Sequence, residues 1–193
     1  MLGVSVVGSF ILASGSPRRK DLLESAGQKF EIITADVDEN IRGLSPEDTV
    51  KHLAVKKAKA VFDLHKKPTL GADTVVVFDD TVVGKPCSKE HAVDMLKMLS
   101  GKKHYVLTGV ALVANDGVRV ECVRTDVYMN DLSADFINAY VSSGRALDKA
   151  GAYGMQDGGF VQKINGSYTN VVGLPMELTE EILKEKGLWQ EKK

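Results

Sequence analysis

The chain has 193 residues, 44% hydrophobic and 26% charged, with 25 Lys and Arg against 26 Asp and Glu for a formal net charge of −1. These values exclude a disordered chain and fit one domain over 1–193, with 1–9 as a lead-in, whose core needs no disulfide or metal staple. They also exclude an overall basic field for gripping nucleic acid, and no apolar run reaches the about 20 residues of a membrane span, so a cytoplasmic location is expected.

Phe10–Ala13 reads as a short first strand. Ser16-Pro17 then starts a helix, because Ser caps well and Pro at the first helical position forfeits no needed hydrogen bond. Leu22 and Leu23 give that helix its apolar face, Gly27 ends it, and Phe30–Thr34 is a second strand. Ser45-Pro46-Glu47-Asp48 opens a longer helix through Val50, Leu53, Ala54, Ala58, Val61 and Phe62. His65-Lys66-Lys67-Pro68 closes it, where cations meet the C-terminal dipole and Pro forbids continuation. Thr69–Phe78 is the strongest strand, and its apolar run predicts burial on both faces. Thr81–Val83 pairs with it beyond Asp79-Asp80, and Ser88 caps a helix to Leu99. Tyr105–Ala114 and Val118–Tyr128 form a hairpin about Asn115-Asp116-Gly117. Ser133 caps a helix to Gly144, and a Gly-rich stretch, Gly151–Gly159, follows. Phe160–Ile164 and Ser167–Val172 predict a second hairpin about Asn165-Gly166, and Met176–Lys186 closes as a helix. Strands and helices mixed in this way predict an α/β fold with a mixed sheet.

Cys87 and Cys122 lack metal-ligand spacing and are expected as reduced core or subsurface thiols. His52, His65, His91 and His104 show no paired spacing, which predicts surface or satisfied imidazoles. Tyr128 and Tyr140 are expected in the core and Trp189 as a packing anchor.

Five segments hold chemistry-bearing side chains. Ser14-Gly15-Ser16-Pro17-Arg18-Arg19 joins a strand end to a helix start, where backbone amides, hydroxyls and guanidinium forks suit an anion; a capped helix with solvated arginines has the same pattern. It lacks the Gly-Lys-Ser/Thr ending of a Walker loop. Asp73, in Gly71-Ala72-Asp73-Thr74, interrupts the most hydrophobic strand, and a carboxylate there is costly unless it is paired, hydrogen-bonded or metal-bound. Asp36-Val37-Asp38-Glu39 offers oxygen ligands for a hard divalent cation, or forms a solvated acidic turn. Lys56-Lys57 and Lys85-Pro86 add cations, and the Gly-rich loop around Gln156 allows close backbone approach and an amide that reads a base edge.

In order along the chain, Leu12-Ala13-Ser14-Gly15-Ser16-Pro17-Arg18-Arg19, Gly71-Ala72-Asp73-Thr74-Val75-Val76, Gly84-Lys85-Pro86, Leu99-Ser100-Gly101, Asp148-Lys149-Ala150-Gly151-Ala152-Tyr153-Gly154, Lys163-Ile164-Asn165-Gly166-Ser167-Tyr168 and Val172-Gly173-Leu174-Pro175 resemble the Maf family of nucleoside triphosphate pyrophosphatases. The resemblance implies an elongated, twisted mixed sheet flanked by helices, with two lobes and a central cleft, similar to the inosine triphosphatase architecture. It implies hydrolysis of a nucleoside triphosphate to the monophosphate and pyrophosphate, and a link to septum formation. Thr74 after Asp73 is similar to the branch acting on dTTP, UTP and modified pyrimidine triphosphates rather than on 7-methyl-GTP. By position, Asp73 matches the proton acceptor, Arg18, Thr74 and Gln156 match residues of substrate choice, and Glu39, Lys57 and Lys85 match polar positions of the catalytic cleft. The family usually has Gly after that Gln, where Asp157 stands here.

On this reading Ser14, Ser16, Arg18, Arg19, Lys57 and Lys85 neutralise the triphosphate, and a divalent cation, Mg²⁺ or Mn²⁺, bridges its oxygens to Asp73 and Glu39. A homodimer is compatible, and neither nucleic acid nor membrane is expected as a partner. The competing readings are an inosine or xanthosine triphosphate pyrophosphatase and a nucleotide-binding septum regulator with little turnover.

Overall fold

A computed structural model describes residues 9–41 and 43–191, so the expected lead-in lies outside the described residues apart from Ser9. The elements are β1 (Phe10–Leu12), α1 (Pro17–Ser25), β2 (Phe30–Ile32), α2 (Pro46–His65), β3 (Thr69–Phe78), β4 (Thr81–Val83), α3 (Lys89–Leu99), β5 (Lys103–Ala114), β6 (Gly117–Met129), α4 (Ala134–Ser142), β7 (Val161–Asn165), α5 (Tyr168–Val172) and α6 (Met176–Glu185). Two short 3₁₀ turns, Ala150–Ala152 and Met155–Asp157, fill the Gly-rich stretch.

One mixed, seven-stranded sheet has the order β2-β1-β3-β5-β6-β7, with β4 paired to β3. β1 runs parallel to β2 and β3, whereas β3, β4, β5, β6 and β7 pair antiparallel. The two largest apolar clusters sit at opposite ends of the long strands. One gathers Leu12, Leu23, Leu70, Leu112 and Ile182 with α1 and α6, and Trp189 packs against it as expected. The other gathers Val76, Leu96, Val106, Ile137 and Phe160 with α3 and α4.

β3 is the element that sets the site. Along one side it pairs with β5 from Thr69 to Val77. Along its other side, β1 pairs only through Leu70 and β4 only from Val76. Residues 71–75 therefore have an open edge, and a cleft enters there. The expected burial of β3 holds except at Thr74 and Val75, which are half-buried at this opening, and at half-buried Phe78 at its end.

α2 lies directly on β3 and β5 because two glycines leave room for its backbone. A Cβ at Gly71 would stand 2.3 Å from the carbonyl oxygen of Ala54, and one at Gly109 would stand 2.4 Å from that of Val50. Helix ends follow the local chemistry. Ser45 Oγ accepts from the Asp48 amide at 3.1 Å, and Lys66 closes α2 in the left-handed conformation at φ 55°.

The structure corrects four expectations. Ser167–Val172 is no strand: Ser167 Oγ accepts from the Asn170 amide at 3.2 Å and starts α5, so β7 pairs with β6 instead. A local cap here overrides the hairpin signal of Asn165-Gly166. Ser16 precedes α1 but makes no side-chain cap, and its amide donates to Ser14 Oγ at 3.3 Å. Cys87 is exposed rather than subsurface, whereas half-buried Cys122 has its thiol pushed up to about 11 by burial. Tyr128 is half-buried rather than core, because its ring lies on the outer side of the sheet beneath the ammonium groups of Lys103 and Lys163. Tyr140 is buried as expected.

Candidate active site

Alternation along β3 sends Asp73 toward α2 and Thr74 toward the opposite face, and the open edge lets both line one cavity of about 590 Å³. On the α2 side, Lys57 Nζ lies 2.7 Å from Asp73 Oδ1 and 2.8 Å from Glu39 Oε1. Asp73 is buried, and its Oδ2 makes no hydrogen bond among the described residues. Glu39 comes from the loop after β2. Lys56, next to Lys57, donates to the backbone carbonyl of Asp38 at 2.6 Å and fixes that loop. The two lysines thus do different work: one shapes the acidic turn and the other joins two carboxylates. Within Asp36-Val37-Asp38-Glu39, only Glu39 lines the cavity.

On the opposite side, Arg19 ties three segments together. It donates to Ser14 Oγ at 2.9 Å, to Thr74 Oγ1 at 3.1 Å and to the Gly173 carbonyl at 2.8 Å. Burial lowers its pKa from the ordinary guanidinium range. The bonds to Ser14, Thr74 and Gly173 leave further N–H groups of the fork for a ligand. Thr74 Oγ1 also meets Thr108 Oγ1 at 2.9 Å, and Thr108 donates to the Asn170 carbonyl at 3.0 Å. Asn170 is fully buried and donates to Val106 O and Thr125 Oγ1.

Arg18 crosses the mouth of the cleft to Asp148 Oδ2 at 2.9 Å. Burial pushes the Asp148 carboxyl up, but hydrogen bonds from Lys149 and Arg18 outweigh it and hold the group below the ordinary carboxylate range. Lys85, on the loop after β4, lines the cavity without a carboxylate partner among the described residues. That loop is tied to the Gly-rich stretch by a bond from the Gly151 amide to the Gly84 carbonyl at 3.0 Å. Gln156 reaches the cavity from the second 3₁₀ turn with an exposed side chain. Asp157, where Gly is usual, anchors this turn: Tyr140 donates to its Oδ2 at 2.6 Å and Arg145 pairs with its Oδ1 at 3.4 Å.

A neighbouring hollow of about 390 Å³ continues the cavity toward the β1–α1 turn and adds Ser14, Gly15 and the start of α1. The structure thus brings Ser14, Ser16, Arg18, Arg19, Glu39, Lys57, Asp73, Thr74, Lys85 and Gln156 around one continuous space. Its larger part carries Arg18, Arg19, Lys57, Lys85 and Lys149 against Glu39, Asp73 and Asp148. That is five cations to three carboxylates in a chain of net charge −1, a local excess suited to a polyanion. Ile41, Leu44, Leu53, Val82 and Met155 supply an apolar wall beside it.

Thr108, Asn170 and the Arg18–Asp148 pairing escape sequence reasoning. Thr in a strand reads as ordinary β-former, and only the three-dimensional pairing of Thr74 with Thr108 shows its hydroxyl at work. His104 is a second departure. It is buried, with Nε2 2.7 Å from the Tyr153 hydroxyl and Nδ1 without a hydrogen-bond partner among the described residues, and burial lowers its pKa to about 4.

The donor set fits a divalent cation held jointly with a ligand. Two carboxylates converge on one point, which the Lys57 ammonium occupies, and no group of three or more His, Cys, Asp or Glu is clustered for a metal among the described residues. One or two carboxylates plus phosphate oxygens is the usual environment of Mg²⁺.

The family model described as Maf-like protein matches residues 9–186. A dTTP/UTP pyrophosphatase of Geobacillus sp. (strain WCH70) is 48% identical over 181 residues, covering 92% of this chain and 97% of that protein. A dTTP/UTP pyrophosphatase of Bacillus anthracis is 49% identical over 179 residues, covering 91% and 94%. Among solved structures, a HAM1 protein from Coxiella burnetii shares the fold, with a TM-score of 0.52 at 16% identity over 92% of this chain and 98% of that chain.

Proposed function

The chain belongs to the Maf-like protein family, and from that premise we propose that it is a nucleoside triphosphate pyrophosphatase that hydrolyses dTTP and UTP to the monophosphate and pyrophosphate. The observation that carries this reading is the convergence of Asp73 and Glu39 on Lys57 at the open edge of β3, facing Arg18, Arg19 and Lys85.

The residues divide the work. The triphosphate lies against Arg18, Lys85 and the start of α1, where fixed positive charge offsets its negative charge and the charge that develops on the leaving pyrophosphate. The base lies against the aliphatic wall within reach of Thr74 and Gln156. In the nucleotide-free protein Lys57 holds Asp73 by Oδ1; with the triphosphate bound, Asp73 Oδ2 orients a water and takes its proton as that water attacks the α-phosphorus and pyrophosphate leaves. Glu39 and Asp73 would hold Mg²⁺ or Mn²⁺, which when bound supplies positive charge to the phosphate oxygens. Arg19 keeps the Thr74 hydroxyl fixed relative to the phosphate turn, so base reading and phosphate binding share one frame.

The test is a panel of dTTP, UTP, ITP, XTP and 7-methyl-GTP with pyrophosphate detection, with and without EDTA. The expected result is EDTA-sensitive pyrophosphate release greatest from dTTP and UTP. Preferential turnover of ITP or XTP overturns the substrate assignment, and nucleotide binding without pyrophosphate release overturns the enzymatic reading.

A further inference from the structure

We infer that Lys57 is a built-in counter-ion that keeps the Asp73–Glu39 pair closed to a divalent cation until a triphosphate draws the ammonium away, so that the ion enters with the nucleotide and not before it. The inference rests on the metal role proposed above for the two carboxylates.

Lys57 Nζ bonds to Glu39 Oε1 at 2.8 Å and to Asp73 Oδ1 at 2.7 Å. A hard cation bridging these oxygens needs the same point, and two cations cannot share it without strong repulsion in so enclosed a place. The enclosure is real for two of the three groups: the Lys57 side chain is 16% exposed and that of Asp73 is 12% exposed, against 60% for Glu39. α2 cannot drift to relieve the arrangement, because Gly71 and Gly109 let its backbone sit against β3 and β5. The ammonium itself can move, since it ends a flexible four-carbon stem. Among the described residues the only carboxylates that hold it are Glu39 and Asp73, so another anion in the cavity is what would draw it off. A triphosphate brings several such oxygens to the same cleft. Without Lys57, the two carboxylates face each other uncompensated, and a dication becomes their natural partner.

The test is Mn²⁺ titration followed by the EPR signal of the free ion, on the intact protein. Wild type is measured with and without α,β-methylene-dUTP as a non-hydrolysable probe. Nucleotide-free Lys57→Ala and the double variant Lys57→Ala/Glu39→Gln are measured beside it, with Lys57→Gln in reserve should the alanine variant fail to fold. The expected result is weak Mn²⁺ uptake by nucleotide-free wild type, at least tenfold tighter uptake by Lys57→Ala, and loss of that gain in the double variant. Wild type with the probe retains Mn²⁺ beyond what the probe binds alone. If nucleotide-free wild type binds Mn²⁺ as tightly as Lys57→Ala does, the inference is overturned while the metal reading stands. If no form takes up Mn²⁺, with or without the probe, the metal reading itself is overturned.

Discussion

His104 shows how one buried side chain makes the fold sensitive to acid. Its imidazole is enclosed between β5 and the Gly-rich loop, bonded among the described residues only to Tyr153, and burial lowers its pKa from 6.5 to about 4. Above pH 6.5 the ring is neutral in both folded and unfolded chains and contributes no pH dependence. As pH falls from 6.5 toward 4, the unfolded chain binds a proton that the folded one refuses, and stability drops until both are protonated. The loss is on the order of 3 kcal/mol across that window. Urea unfolding at pH 7.5 and pH 4.5 should show a smaller acid loss in His104→Phe than in wild type; equal losses would place the acid sensitivity elsewhere. At this scale the sequence was partly readable. Asp73 stands out because a carboxylate in a Val-rich strand needs a partner, and Lys57 is that partner. Thr108 and Asn170 carry no such contrast, because their value lies in bonds to Thr74, Val106 and Thr125 that only the folded chain makes.

At the scale of elements, the contact of α2 with β3 and β5 decides whether Lys57 meets Asp73. Gly109 pairs with Asp73 across the sheet and sits beneath the Val50 carbonyl of α2. Gly109→Ala places a methyl 2.4 Å from that oxygen, so the helix must lift. The expected outcome is a loss of about 1–3 kcal/mol in urea unfolding, together with a fall in kcat as the lifted helix carries Lys57 away from the cleft. Gly84→Ala is the control for stability, since nothing lies within 4 Å of the added Cβ; equal losses in the two variants would refute the packing argument. Most elements could be read from caps and apolar period, as Ser45-Pro46 for α2 and Ser133 for α4 illustrate. α5 was misread because a five-residue helix between Gly166 and Gly173 has too few turns to show a period. Its cap, Ser167, was the available signal, and the cap is what places Asn170 in the core.

For the whole molecule, the cleft is a consequence of topology. β3 crosses from one core to the other, and its neighbours β1 and β4 stop short of each other. The gap spans residues 71–75 and exposes Asp73 and Thr74 to one space from opposite faces of the strand. No local pattern encodes where β1 ends relative to β3, so the mixed sheet was foreseeable and the gap was not. The basic and hydroxyl-bearing segments come from α1, the β4 loop and the Gly-rich loop, far apart in sequence and joined by bonds such as Arg18 to Asp148 and Gly151 to Gly84.

The direct measurement is steady-state hydrolysis of dTTP and UTP by Asp73→Asn, paired with its affinity for α,β-methylene-dUTP and its thermal melting. With the melting temperature retained and the analogue still bound within a few-fold, kcat should fall by at least about 10²-fold, the scale of a lost general base. A folded Asp73→Asn that turns over either nucleotide at close to the wild-type rate would contradict the assignment of this carboxylate as the group that takes the proton.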